Sequence, residues 1–342
     1  MIIEPIIPLI PGTNPTTVVG SVGGGNNNDF LNSDYYIFDT RSLSNLSARL
    51  GGLTSTAEIR VLDARGNQIA VSAPRGLESR NLNVNLAPGT YYLQVRTFNN
   101  AQTNYSLATT LINSPLIGLS NNNSLLGFTP TNTTAVNLPI RGLSTGENLL
   151  DIDFRPPTNQ LSNTSQLYGL SNQGRLYTLN LSNGVATQVG NSNTRISLIG
   201  SQFAIDFDPQ SGFLQVVSDR GQNLRVDPNT GTALNPDPRL TYAATDPNRT
   251  ATPSIARIAY SNNRINANRT TLYGIDTSLN NLVTQGSPSG TPTSPTTGQL
   301  FTIGSTGSSA GSSLVGNGGF DIFTDATGTD FAYATTGAGL FT

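Results

Sequence analysis

LYGLSNQGRLYTLNLSNGVATQVG, residues 167–190, spells a strand, a turn, a second strand, an NG-containing turn and a third strand. Similar wording returns at residues 213–235, 272–304 and 331–342. A repeat of roughly 45 residues with about four strands is what a β-propeller blade looks like in sequence, since one such unit buries its apolar face only against stacked neighbours. Each copy follows an inner strand ending in an acidic turn. The clear versions are LDIDFRP (150–156) and FAIDFDP (203–209), and looser ones are IARIAY (255–260) and FDIFT (320–324). With residues 116–140 counted as an opening partial blade, the pattern predicts about five blades. The last copy stops at GLFT, where the 167–190 copy runs on into a further strand. The last blade is therefore expected to be incomplete, with a strand edge that something must cover.

Upstream the pattern changes to short alternating runs. In AEIRVLD (57–63), Ala57, Ile59 and Val61 face one way while Glu58 and Arg60 face the other. Leu82, Val84 and Leu86 alternate with Asn83 and Asn85 in the same manner. Ala87-Pro88-Gly89 reads as a hairpin return into TYYLQVR (90–96), and DARGN (63–67) as another turn. This spacing suits a β-sandwich of about 80 to 90 residues. The expected division is an extended apolar arm at 1–19, a Gly/Asn linker at 20–32, a sandwich at 33–112 and a propeller-like domain at 113–342.

Composition narrows the chemistry. All 18 basic residues are arginine, and the chain has no His, Cys or Trp. That excludes thiolate nucleophiles, Cys-based zinc and iron–sulfur sites, a histidine base, Schiff-base chemistry and a P-loop lysine. Any enzyme here would have to run on carboxylates, Tyr, Ser, Thr and Arg. Charged residues are 11% of the chain and the net charge is −2. So weak a charge favours association and offers no basic stripe for nucleic acid. Strand edges carry no guarding lysine. No stretch reaches the length of a membrane span, and MIIEPIIPLI (1–10) lacks the basic n-region of a signal peptide. Composition nevertheless points outside the cell, so an extracellular or cell-surface location is expected.

Two family resemblances attach to these residues. DYYIF (34–38), IRVLDARGN (59–67), LAPGTYYLQV (86–95) and YSL (105–107) occur in the order seen in the bacterial pre-peptidase C-terminal domain, which residues 30–110 resemble. The resemblance implies a small, non-catalytic, jelly-roll-like sandwich attached to secreted proteins, some members of which bind calcium. Asp29, Asp34 and Asp63 match no ligand motif of it. Residues 116–342 resemble the bacterial domain of unknown function 4394. The stretches are IDFDP (205–209), VVSDRGQNLRVDP (216–228), NTG (229–231), LTYAATDP (240–247), AYSN (259–262), TLYGID (271–276), LVTQ (282–285) and GFDI (319–322). That implies a propeller-like β fold in exported bacterial proteins with no assigned activity, continuing past Leu340-Phe341-Thr342 through another strand. The fold class expected is all-β: a jelly-roll-like sandwich followed by a propeller-like domain of about five blades, the last incomplete.

Several groups of residues are candidates for function. Asp151 and Asp153 share one strand face, as do Asp206 and Asp208. Such pairs can bind calcium or act as acid and base on a glycoside, but Asp at a strand exit is also ordinary turn chemistry. The run from Arg220 to Arg225 reads as a binding loop, an Asp219–Arg225 contact between strands, or a hairpin with solvated arginines. SPSGTPTSPTT (287–297) reads as mobile surface. The arm residues Ile2, Ile3, Ile6, Ile7, Leu9 and Ile10 are too apolar for water, while Pro5, Pro8 and Pro11 bar a helix or central strand.

The function expected is non-enzymatic and structural. The protein would be an extracellular filament, sheath or surface layer in which the arm adds as a strand to a neighbour's open last blade. The interface would use the arm residues together with Phe331, Tyr333, Leu340 and Phe341. The alternative is a monomeric cell-surface module binding glycan or calcium through its propeller loops, with Asp151, Asp153, Asp206 and Asp208 as calcium candidates. No catalytic residue, cofactor other than calcium, nucleic-acid partner or membrane span is expected.

Overall fold

A computed structural model describes residues 7–24, 32–73, 76–113, 116–156, 165–235, 237–264, 267–307, 318–325, 327–336 and 339–342. Its regular structure is strand apart from two single 3-10 turns, Pro288–Gly290 and Pro295–Thr297. The chain forms two compact units. The first comprises the chain to Ile117 with Ser124–Pro139 and Leu181–Asn183; the second takes Gly118–Asn123, Ile140–Asn180 and Gly184–Thr342.

The first unit contains β1 (Ile7–Pro8), β2 (Thr16–Val22), β3 (Ser33–Thr40), β4 (Ser44–Gly51), β5 (Ala57–Asp63), β6 (Gln68–Val71), β7 (Arg80–Leu86), β8 (Gly89–Thr97) and β9 (Thr103–Asn113). They form two sheets, β1-β3-β8-β5-β6 and β2-β9-β4-β7. The alternation read from sequence is the core pattern. Ala57, Ile59, Val61, Leu82, Val84 and Leu86 are buried together with Leu46, Leu50, Leu93, Val95 and Leu107 between the sheets.

Two expectations change here. The Ala87-Pro88-Gly89 turn is not a hairpin, because β7 and β8 belong to different sheets. It is a corner at which the chain switches layer. Thr40 Oγ1 donates to Ala87 O (2.6 Å), Gly89 N donates to Thr40 Oγ1 (3.0 Å), and Tyr91 Oη donates to Ala87 O (2.8 Å). These bonds give the Ala87 carbonyl and the Gly89 N–H partners at the corner.

The second change concerns the arm and linker. Residues 16–22 form a seven-residue strand antiparallel to β9, from Thr16–Thr109 to Val22–Thr103. Ahead of it, Ile7 and Pro8 pair in parallel with Tyr36 and Ile37. Pro8 is tolerated because β1 is an edge strand. Leu9 is 4% exposed within the sandwich's own core. Leu9→Ala is expected to lower the stability of the isolated protein by about 2–3 kcal/mol in urea unfolding. An unchanged midpoint would mean that Leu9 does not help to hold this sandwich together.

β10 (Leu116–Leu119) leads to the hairpin β11 (Ser124–Thr129) and β12 (Asn132–Pro139). This hairpin, which sequence pattern suggested as an opening blade, groups with the first unit. Asn85 Nδ2 donates to the carbonyls of Asn132 and Thr134 (3.0 and 2.9 Å). β12 has no buried residue, so it cannot supply the apolar inner strand that a blade needs.

The second unit holds four consecutive meander sheets. They are β13 (Leu149–Arg155), β14 (Gln166–Ser171), β15 (Leu176–Leu179), β16 (Ala186–Gln188); β17 (Phe203–Phe207), β18 (Leu214–Ser218), β19 (Asn223–Asp227), β20 (Thr232–Ala233); β21 (Thr241–Tyr242), β22 (Ile255–Tyr260), β23 (Leu272–Asp276), β24 (Asn281–Gln285), β25 (Gln299–Ser305); and β26 (Phe320–Thr324), β27 (Asp330–Thr336), β28 (Gly339–Phe341). In the third sheet β21 is added in parallel outside β25, and the last sheet has three strands among the described residues.

Every residue of β17 and β18 is buried, because their sheet is covered on both faces. Ile205, Phe207, Leu214, Val216 and Val226 pack against Tyr168, Leu170 and Leu176 of the first sheet. Ala204 and Val217 face Tyr242, Ile255, Ile258 and Leu272 of the third. The glycine of the repeated SNQG turn is required: Gly174 has φ +72°, and a Cβ there would meet Ile196 O.

Candidate functional site

The innermost strands β13, β17, β22 and β26 bring Asp151, Asp153, Asp206 and Asp321 together, the last of these exposed. Each of these strands is the edge of its own sheet, so its inward N–H groups need partners from outside the ladder. The acids of the preceding sheet supply them. Asp151 Oδ2 accepts from Ile205 N (2.9 Å) and Asp153 Oδ2 accepts from Phe207 N (2.7 Å). Asp206 in turn accepts from Tyr260 N on β22. Asp151 Oδ1 and Asp153 Oδ1 also accept from the N–H of the residue that follows each. The acid-then-aromatic pattern of Asp153-Phe154 and Asp206-Phe207 thus fastens one sheet to the next.

The third inner strand departs from the pattern. Ala259, before Tyr260, stands where the first two strands carry an acid, and two residues earlier comes the buried Arg257. Its charge attracts Asp151. On β26, Asp321 Oδ1 accepts from Ile322 N (2.6 Å). Carboxylate oxygens of Asp153, Asp206 and Asp321 all lie within 4.8 Å of one another. The four innermost strands therefore curve about one centre, and Asp321 keeps solvent-accessible area although protein surrounds it.

Burial sets the electrostatics. Loss of solvation pushes the Asp151 carboxyl up to about 7, partly offset by its two N–H donors. Asp153 is raised well above the usual range by burial and then by repulsion from Asp321; Asp206 is raised by burial and then by repulsion from Asp153. Asp321 is raised by burial. Asp206 is 1% exposed, and its Oδ1 has no hydrogen-bond partner.

Of the calcium candidates read from sequence, the structure unites Asp153 and Asp206 and places Asp151 beside them. Asp208 stands apart and caps its own turn, accepting from Gln210 N (2.9 Å) and Ser211 Oγ (2.6 Å). Sequence reading passed over Asp321 and Arg257. The signal for Asp321 was available in the match of FDIFT to the other inner strands, whereas nothing in IARIAY announces that Arg257 is buried.

Of the readings of residues 220–225, the hairpin forms between β18 and β19, and Arg225 pairs elsewhere than with Asp219. Arg225 makes a bidentate pair with Asp237 (2.8 and 2.9 Å), and Asp219 accepts from Ser201 N and Oγ (2.9 and 2.5 Å). The 287–297 loop is tied down at Pro295, whose carbonyl accepts from Gln285 Nε2 (2.8 Å).

The expected interface residues separate into groups. Ile2, Ile3 and Ile6 lie outside the described residues. Ile7 and Leu9 are engaged in the chain's own sandwich, while Ile10 is exposed. On the last sheet, Phe323 pairs with Phe331, Asp321 with Tyr333 and Thr335 with Leu340. Alternation puts Asp321, Phe323, Phe331, Tyr333 and Leu340 on one face. Phe341, opposite Ala334, is on the other face with the buried Ile322.

A repeated, propeller-like meander with structural acids on its innermost strands defines the class of this protein. The sequence pattern of the domain of unknown function DUF4394 matches residues 124–341, and the chain belongs to that family. No curated protein matches the sequence. Among solved structures, the pre-peptidase C-terminal domain of a collagenase from Bacillus anthracis is 25% identical. The match covers 32% of this chain and 98% of that one, with a TM-score of 0.26. A periplasmic inhibitor of g-type lysozyme from Aeromonas hydrophila is 18% identical over 31% of this chain and 96% of its own, with a TM-score of 0.25.

Proposed function

We propose that this chain is a non-enzymatic structural protein of the bacterial cell exterior that assembles with copies of itself. We further propose that its sandwich is a pre-peptidase C-terminal-like domain. The observation that supports self-assembly is the aromatic face of the last sheet. Phe323 and Phe331, a cross-strand pair, are 55% and 44% exposed, with Tyr333 and Leu340 beside them. Contiguous apolar surface of this kind marks an interaction site. A second copy is the partner of choice because a net charge of −2 offers little mutual repulsion. The contact proposed is thus on this face, since Ile7 and Leu9 already serve their own sandwich.

Size-exclusion chromatography with light scattering, beside negative-stain electron microscopy, tests the reading. Wild type is expected to form regular assemblies, and Phe323→Ser with Phe331→Ser is expected to lower the association constant at least tenfold. A 36.0-kDa monomer at high concentration would sink it.

The glycan alternative has one supporting feature. A polar hollow is lined by Asn262, Arg264, Asn268, Arg269 and Asp330. It could hydrogen-bond a sugar, but no aromatic ring lies among its described lining residues to stack on one.

A further inference from the structure

We propose that Asp153, Asp206 and Asp321 bind one hard divalent cation, Ca2+ by its tolerance of irregular oxygen shells, at the centre of the innermost strands. The proposal does not rest on self-assembly, although Asp321 shares its sheet face with Phe323 and Phe331. Three carboxylates from three different sheets place oxygens within 4.8 Å of one another. Three oxygens spaced evenly about a Ca2+ ion, each about 2.3–2.6 Å from it, lie about 4.0–4.5 Å from one another. The cluster therefore spans the ion with little movement. Mg2+ demands a near-ideal octahedron and keeps several of its waters, which suits ligands held on fixed strands less well. An all-oxygen, all-carboxylate donor set excludes the soft and borderline metals as preferred occupants.

A second observation points to a ligand. Asp206 is 1% exposed, and its Oδ1 accepts no hydrogen bond. A buried, orphaned carboxylate oxygen is costly unless something positive meets it. Its other bond, from Tyr260 N, holds the side chain on the inner side of β17. Asp153 is held by Phe154 N and Phe207 N, and Asp321 by Ile322 N, yet a carboxylate oxygen has two lone pairs and each residue can still ligate. The ligands are thus oriented before any ion arrives.

Charge completes the case. Arg257 is the cation whose charge attracts Asp151. Asp151 lies beside the group, but the oxygens that come within 4.8 Å of one another are those of Asp153, Asp206 and Asp321. A divalent ion at the centre would offset most of the remaining negative charge. It would also tie the first, second and fourth sheets together, which no single pair of neighbouring strands does.

The test uses the full chain stripped with EDTA and passed into metal-free buffer at pH 7.5. Calorimetric titration with CaCl2 is expected to show one saturable site, and saturation is expected to raise Tm by about 5 °C. Asp208→Asn should keep both effects, and Asp206→Asn and Asp153→Asn should each weaken Ca2+ binding at least tenfold. Absence of Ca2+ binding by the stripped wild type would overturn the proposal and leave the three carboxyls paired through shared protons. Equal binding by wild type and the Asp153→Asn protein would overturn it too. If Asp206→Asn does not fold, the wild-type titration and Asp153→Asn decide the matter between them.

Discussion

Replacing Glu147 with alanine is expected to destabilise the second unit by about 3–5 kcal/mol in urea unfolding. Glu147 is buried in the turn that leads into β13 and receives four donors. They are Ser171 Oγ at 2.5 Å, Tyr177 Oη at 2.8 Å, Arg175 Nη1 at 2.8 Å and Ser144 N at 3.2 Å. Burial alone would raise its carboxyl, but the donors outweigh it and hold the group below the usual range. Truncation takes the acceptor away from the Ser171 and Tyr177 hydroxyls and leaves the nearly buried Arg175 guanidinium with Ser144 Oγ and Gln173 Oε1.

Because the folded-state value is depressed, the stability from Glu147 is present at neutral pH. It is lost only as pH falls below the usual carboxylate range toward the folded value. Glu147→Gln keeps the shape and one acceptor and should recover part of the loss. A cost below about 1 kcal/mol for the alanine variant would show that the network is not a determinant of stability.

The second large effect is one of pH. In EDTA, the protein is expected to lose about 5 °C of Tm between pH 5 and pH 8. Asp151 titrates at about 7 when folded, and Asp153, Asp206 and Asp321 are also raised. An unfolded chain releases these protons near pH 4, so from there upward the native state binds more protons than the unfolded one. Stability then falls as pH rises, being fully present below about pH 4 and lost as each folded value is passed.

Arg257 is the attractive charge facing this group, and Asp151, Asp153, Asp206 and Asp321 are the repelling ones. Arg257→Met should therefore steepen the decline while changing the pH 5 melt less. A flat profile from pH 5 to 8 would show that the carboxyls are ionised and compensated by other means.

Much of the fold was legible in the residues. AEIRVLD is β5 to the residue, and its alternating Ala57, Ile59 and Val61 are fully buried. LYGLSNQGRLYTL became β14, turn and β15, and LDIDFRP and FAIDFDP became the inner strands β13 and β17. Both signals are local. A strand's faces follow from alternation at every second residue, and a glycine such as Gly174 marks where the backbone must take positive φ. The pairing of Asp153 with Asp206 on equivalent strand positions followed from the same repeat.

What was not legible depends on segments far apart in the chain. The Ala87-Pro88-Gly89 turn reads the same whether it closes a hairpin or switches sheets. The difference lies in β3 and β5, which take β8 into their own sheet. Residues 16–22 look like the end of an arm until β9, some ninety residues on, offers them an edge. Arg225 finds Asp237 rather than Asp219, because the loop before β21 brings Asp237 to the guanidinium.

The same holds for the centre of the inner strands. The amino-acid order settles that Asp153, Asp206 and Asp321 lie on short apolar strands, since period-two alternation and turn residues are properties of neighbours in sequence. Their convergence, the burial of Asp206 and the placing of Arg257 beside Asp151 come from the packing of four sheets about one centre. That packing reflects burial and edge pairing between segments more than a hundred and fifty residues apart, which no local pattern specifies.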